Sequence, residues 1–131
     1  MTMPRRFKMH YTPAEARALL PQVRKWLKEL CMITTTLRET DCLLDEKLVS
    51  GHDLGGELVH NRVAAMAGLS TVMREFSRRE ILVKDFDRGL IDFPTLMYGR
   101  EVLLCWEKNE NDIAWWHDIE TGYDSRQPLV E

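Results

Sequence analysis

ILVKDFDRGLIDFPTLMYGREVLLCWEKNENDIAWWHDI, residues 81–119, decides the fold. Its apolar residues come in runs of strand length, separated by short polar turns, with none of the 3.6-residue spacing of a buried helix face. ILVKD, GLIDFPTL, REVLLCWE and IAWWHDI read as four successive strands. Their connections are short enough only for an antiparallel meander. Pro94 lacks an amide hydrogen, which predicts that the second strand is an edge or ends early. A symmetric KNEN loop pairs Trp106 with Ile113, Leu104 with Trp115 and Val102 with His117. The opposite face then pairs Leu103 with Trp116 and Glu101 with Asp118. A loop of odd length exchanges those faces, because side chains alternate with period two.

Upstream of this segment the pattern turns helical. Phe7, Met9 and Tyr11 alternate with Lys8 and His10, which predicts a short strand over residues 7–11. Thr12, Pro13 and Glu15 follow as a helix start: a capping hydroxyl, a proline at the first helical position and a carboxylate reaching back. Pro21 lies too deep for a first turn, so a kink or restart is expected near Leu20. Val23, Leu30, Leu37 and Leu44 then recur every seven residues, and a helix from Pro21 to Leu48 spans about 40 Å. The seam thins at Thr40 and Asp41, marking local bending or a polar contact. Ser50–Gly56 has the chemistry of a helix–helix turn. A second helix runs on to about Arg79. Leu58, Ala65, Leu69, Val72 and Phe76 form one stripe, and Val59, Val63, Met66 and Met73 widen it beyond what one neighbouring helix covers. The surplus must meet the sheet or another subunit. The fold class is therefore α+β, a long antiparallel helical hairpin (13–79) packed with a small antiparallel β-meander and C-terminal loop (81–131), in a single domain.

The totals agree with one core. The chain has 131 residues, 44% apolar and 30% charged, which is ordinary globular composition. No apolar run approaches bilayer length, and the basic N-terminus has no apolar segment behind it, so neither membrane span nor secretory signal is expected. Three cysteines without a C-x-x-C pattern suit reduced thiols in a cytoplasmic protein. Residues 1–80 carry a net charge of +3 and residues 81–131 a net −6, and the acidic part holds seven of the eleven aromatic residues. That part makes a poor nucleic-acid platform, which needs cations to displace counterions. A basic helical hairpin would need Arg24, Lys25, Lys28, Arg38 and Arg62 on one exposed face, and their scatter favours a solvated surface.

The candidate site residues are Asp85, Asp92, Arg100, Trp116, His117 and Arg126. His117 stands in an apolar row, where a neutral histidine bonded to a carbonyl or carboxylate is the plainer expectation. The sharper one groups it with Glu101 and Asp118, or with Asp85 and Asp92, as an imidazole–carboxylate set able to hold a divalent ion. Asp85, Asp87 and Asp92 are read first as turn chemistry around Gly89 and Pro94. Arg100 and Arg126 either clamp an internal carboxylate, Asp92 or Asp118, or bind an anionic small molecule against the Trp and Tyr faces. No cofactor is required by any motif.

Lys84, Asp85, Gly89, Leu90, Asp92, Phe93 and Pro94, then Gly99, Arg100, Val102, Leu104, Cys105 and Trp106, then Trp116, His117, Gly122, Arg126 and Pro128 follow an order that resembles an uncharacterised prokaryotic family, domain of unknown function 2203. Thr12, Glu15, Ala16, Leu19, Leu20 and Pro21 resemble its opening segment. The resemblance implies a glycine between the second helix and the first strand, where this chain has SRREIL. It implies no activity.

Two functions are weighed. The first is a cytoplasmic, non-enzymatic binding or assembly protein, a homodimer through the hairpin, with a small-ligand or partner site at the aromatic sheet. The second is a small metal-dependent hydrolase using His117 and nearby carboxylates. It requires at least three of Asp85, Asp92, Glu101, His117 and Asp118 to converge on one open position.

Overall fold

The capping signals at Thr12 act as their residue types dictate. In the computed structural model, which describes residues 4–49 and 56–130, the Thr12 hydroxyl accepts from the Glu15 amide at 3.1 Å and the Glu15 carboxylate accepts from the Thr12 amide at 2.9 Å. This reciprocal pair opens helix α1, Pro13–Val49. The helix passes through Pro21 uninterrupted, so the expected restart does not occur. One lost amide bond and a ring clash cost about 3 kcal/mol. Leu20, Val23, Trp26, Leu27 and Leu30 around it are all buried, and each contributes roughly 1.5–3 kcal/mol. Burial wins.

Helix α2, Gly56–Ser77, returns along α1. Gly68 lets the helices approach closely, since a Cβ there would stand 3.4 Å from Ile33. Trp26 and Phe76 meet edge to face at 5.1 Å. The thinning of the seam marks a polar contact: Asp41 accepts from Arg62 at 2.8 Å. Apart from Gly56, the turn expected over Ser50–Gly56 lies outside the described residues. The widening row behaves differently from the first stripe. Val72 and Phe76 are buried, whereas Val59, Val63, Met66 and Met73 are 38–61% exposed, so the sheet does not cover them.

The sheet is an antiparallel meander in the order β1-β2-β3-β4-β5. Its strands are β1 (Leu82–Asp85), β2 (Leu90–Met97), β3 (Arg100–Glu107), β4 (Trp115–Asp118) and β5 (Gln127–Pro128). Tyr98 and Gly99, both at positive φ, form the tight turn between β2 and β3, the backbone hand that a two-residue hairpin needs. A fifth strand was not expected: after a 3-10 turn at Tyr123–Ser125, the loop around Arg126 ends by pairing Gln127 with Trp116 and Pro128 with Trp115.

Pro94 sits within β2, beyond the end of β1, so β2 is locally an edge there. Its carbonyl accepts from the Tyr11 amide at 2.7 Å on that open side. Residues 7–11 form no strand, a correction to the expectation above. The amides of Phe7, Lys8 and Met9 go to side chains: Phe7, with Arg6, donates to Glu101, and Lys8 and Met9 donate to Glu80. Glu80 itself has φ of 55° at the junction after α2, the left-handed conformation for which glycine is the natural residue.

The register of β3 and β4 also differs from the symmetric expectation. Val102 partners Asp118, Leu103 partners His117, Leu104 partners Trp116 and Cys105 partners Trp115. The connecting loop has odd length because Glu110 turns its carboxylate back onto the Glu107 amide at 2.8 Å, and its carbonyl accepts from the Trp106 indole at 3.1 Å. One sheet face, with Ile91, Phe93, Leu104, Trp106 and Trp116, joins the core formed with the helices. The other carries Asp92, Leu103, Cys105, Trp115 and His117 and is covered by the C-terminal loop.

Candidate functional site

Three strands each place one polar side chain among apolar neighbours on that outer face: Asp92 on β2, Cys105 on β3 and His117 on β4. Asp92 and Cys105 are cross-strand partners. All three are essentially removed from solvent, at 1–2% exposure. Their oxygen, sulfur and nitrogen donor atoms lie within 4.8 Å of one another.

The histidine is held from both sides. Nδ1 donates to the Asp118 carbonyl at 2.7 Å, and Nε2 meets Asp92 Oδ2 at 3.0 Å. With Nδ1 committed as a donor, one proton occupies the Nε2–Oδ2 contact, carried by the imidazole or by the carboxyl group. Burial pushes the Asp92 carboxyl above the usual carboxylate range, against the pull of His117 and, more weakly, Cys105 and Lys84. The Cys105 thiol is close enough to favour the carboxylate as a weak hydrogen-bond donor, although no well-formed bond reaches the buried Asp92 Oδ1. Burial, reinforced by the neighbouring Asp92, pushes the Cys105 thiol up to about 12.

Above the three residues lies a cavity of about 150 Å³, whose wall includes Lys84, Thr121 and Tyr123. Arg126 forms its rear support. Its guanidinium pairs with Glu110 at 3.0 Å, lies 4.1 Å from the Tyr123 ring centre and 4.8 Å from that of Trp115, and reaches to 4.0 Å from the Cys105 sulfur. The cation is thus sandwiched and paired, a rigid brace for the loop.

Of the residues singled out from sequence, Asp92 and His117 come together here and Arg126 stands beside them. The others do not join. Asp85 accepts from the Arg88 amide at 3.2 Å as turn chemistry. Arg100 pairs with Asp118, one of the two partners expected for it, at 2.9 Å, as a single exposed ion pair rather than an internal clamp. Trp116 is on the opposite, helix-facing side. Arg126 clamps Glu110 rather than Asp92 or Asp118. Glu101 lies apart, bonded to His10 Nε2 at 2.8 Å and to the Arg6 and Phe7 amides. Burial opposes its ionisation, but the bonds from His10, Arg6 and Phe7 outweigh that and hold its carboxyl below the usual range. The set Glu101, His117 and Asp118 therefore does not converge on one position. Cys105 was missed. Its signal is that LIDFP, VLLCW and AWWH each have one polar or sulfur-bearing residue in an apolar strand, but only the true register puts the three on one face.

No helix among the described residues is long and apolar enough to cross a membrane. No curated protein and no solved structure matches the chain significantly. Residues 9–129 match a family described as an uncharacterized conserved protein, spanning the capping segment, the hairpin, the meander and the braced loop alike. The chain belongs to that family, DUF2203.

Proposed function

We propose that this chain is a cytoplasmic, prokaryotic assembly protein that works as a homodimer through α2 and presents a small-ligand site at the outer face of its sheet. The observation that carries the assembly is the exposed row Val59, Val63, Met66 and Met73. It lies about a third of a turn round the helix from the buried row, at the spacing of a helix–helix seam. Its flank is as telling. VAAMAGLSTVM, residues 63–73, contains no ionisable side chain, whereas a solvated helix face is normally charged. Ala67 and Ser70 among these residues are small enough for a second backbone to approach. Two hairpins packed with α2 against α2 form a four-helix arrangement around a two-fold axis, burying the row against itself.

The ligand site is supported by the unpartnered Asp92 oxygen beneath the cavity. The second function, a small metal-dependent hydrolase using His117 and nearby carboxylates, asks for three of Asp85, Asp92, Glu101, His117 and Asp118 at one position. Asp92 and His117 alone of those five meet, with Cys105 as the third donor, so the binding reading is preferred. The assembly is tested by light scattering across a dilution series of wild type and of the Val63→Lys/Met66→Lys double variant. Wild type is expected at twice the 15.4 kDa chain mass, and the folded double variant at the chain mass. A wild type that is monomeric at all micromolar concentrations sinks the assembly proposal.

A further inference from the structure

We infer that Asp92, Cys105 and His117 form a three-residue zinc-class metal site whose fourth position opens into the cavity walled by Lys84 and Tyr123. This deepens the ligand-site half of the proposal above and is independent of the assembly half.

A purely structural Asp–His pair leaves one feature here without a role. Buried carboxylate oxygens in folded proteins are almost always bonded, and an orphan costs about 1–3 kcal/mol. Asp92 Oδ1 has no partner, although the adjoining cavity is lined by polar groups. Two further metal donors, the Cys105 sulfur and a His117 ring nitrogen, lie within 4.8 Å of an Asp92 carboxylate oxygen and of each other. The histidine is also already oriented as a ligand. Its Nδ1 hydrogen is spent on the Asp118 carbonyl, which aims the Nε2 lone pair at the cluster, the usual outer-shell arrangement for a metal-bound imidazole.

The donor types select the ion. A thiolate and an imidazole exclude magnesium and calcium, which take oxygen ligands. Together with one carboxylate they suit Zn²⁺ or a neighbouring divalent transition metal. Charge agrees: thiolate and carboxylate neutralise a dication, so the occupied site adds no net charge to the sheet face. Tetrahedral bonds of ordinary length set donor separations of roughly 3.3–3.6 Å. The present separations, up to 4.8 Å, need close by only about 1 Å, within the reach of side-chain rotation. Three protein donors leave one coordination position, and it faces the cavity rather than protein. Water or a small anion fills it, with the Lys84 ammonium at the wall to favour the anion. On binding, the metal takes the place of the thiol proton and of the proton held between Asp92 and His117, and both are released to solvent.

The test uses the full chain without an affinity tag, with the exposed Cys31 and Cys42 changed to serine so that Cys105 is the one thiol. After chelator treatment the protein is titrated with Co²⁺ and then Zn²⁺. Expected are one equivalent of Co²⁺ bound, visible bands of a four-coordinate ion, a near-ultraviolet thiolate-to-cobalt transition, and displacement of all three signals by Zn²⁺. Cys105→Ser removes the thiolate transition. Asp92→Asn, which keeps side-chain shape, weakens Zn²⁺ at least tenfold, a change of about 1.4 kcal/mol. Absence of the thiolate transition in a parent protein with native near-ultraviolet circular dichroism overturns the inference. So does a Zn²⁺ affinity unchanged in Asp92→Asn. Light scattering on the same samples separates the two proposals, since the dimer is expected to persist in the metal-free protein.

Discussion

Replacing Asp92 by asparagine is expected to make the metal-free protein more stable, not less. In the wild type a carboxyl group is buried among apolar strands with one oxygen bonded to His117 and the other unbonded. Asparagine can donate from its amide nitrogen to His117 Nε2, which has a free lone pair because Nδ1 is already the donor to Asp118. The orphan that remains is then a neutral amide oxygen rather than part of an ionisable group. Removing the desolvated carboxyl is worth about 1–2 kcal/mol. With an unfolding entropy of roughly 2 cal/mol/K per residue, a chain of 131 residues gains about 4–7 °C in Tm. The pH dependence supplies a second signature. The folded-state pKa of Asp92 is raised by burial, so the folded protein binds more protons than the unfolded chain above the ordinary carboxylate value. Stability from this group is fully present below that value and is lost as pH rises through the raised one. The asparagine variant lacks that decline. Chemical denaturation of chelator-treated wild type and variant, at fixed protein concentration from pH 4 to pH 8, measures both effects. An asparagine variant that is less stable than wild type at pH 7 by more than about 1 kcal/mol refutes the reasoning, because the carboxylate would then be a net stabilising partner of a charged His117.

In the native metal-free protein, Cys31 and Cys42 should react with an aromatic disulfide reagent at pH 8 while Cys105, buried and with its thiol at about 12, reacts only after denaturant is added; rapid reaction of all three disproves the buried site. Glu101→Ala should release the N-terminal segment, seen as faster amide exchange at Arg6 and Phe7 and earlier proteolysis there, with exchange in β3 unchanged. Because the Glu101 carboxyl is held below its usual range, wild-type anchoring is present above that range and is lost as pH falls through the lowered value. Glu80→Gly relieves the positive φ but also deletes the acceptor of the Lys8 and Met9 amides. It should therefore be more stable than Glu80→Ala by about 1 kcal/mol, and equal stability of the two in denaturation means the backbone there is unstrained.

The elements were legible where a local rule acts alone. Thr12 and Glu15 are a capping box in any context, and the period-two runs after Ile81 leave no alternative to strands. Pro21 misled because its local penalty is set against tertiary burial, which a window of sequence does not contain. Residues 7–11 misled for a related reason: their alternation is real, but the amide partners are carboxylates about 70 and 95 positions away. The site itself depended on the β3–β4 loop. Glu110 folding back on Glu107 gives that loop its odd length, and the shift brings Cys105 and His117 to one side. A one-residue change of pairing separates a histidine in an apolar row from a three-donor cluster, and no residue type in KNEN announces it. Glu80 shows the converse. The resemblance led to a glycine at that junction, and the backbone keeps the glycine conformation with a glutamate in it.

The hairpin is much longer than the sheet it packs on. Among the residues whose burial is described, the last buried one in α1 is Thr40 and the first in α2 is Val72. Beyond them, Asp41–Leu48 and Gly56–Thr71 contain no fully buried side chain. Local opening free energy follows enclosed apolar contact, so backbone protection should fall along the hairpin from sheet to tip. The base is expected to open with the sheet as one cooperative unit, and the distal arm as a second, weaker one. Occupying the exposed seam of α2, most of which (Val59, Val63 and Met66) lies in the arm, would stabilise the arm by mass action. In the proposed dimer the stiffness of the arm is set by protein concentration and belongs to the pair of chains rather than to either one.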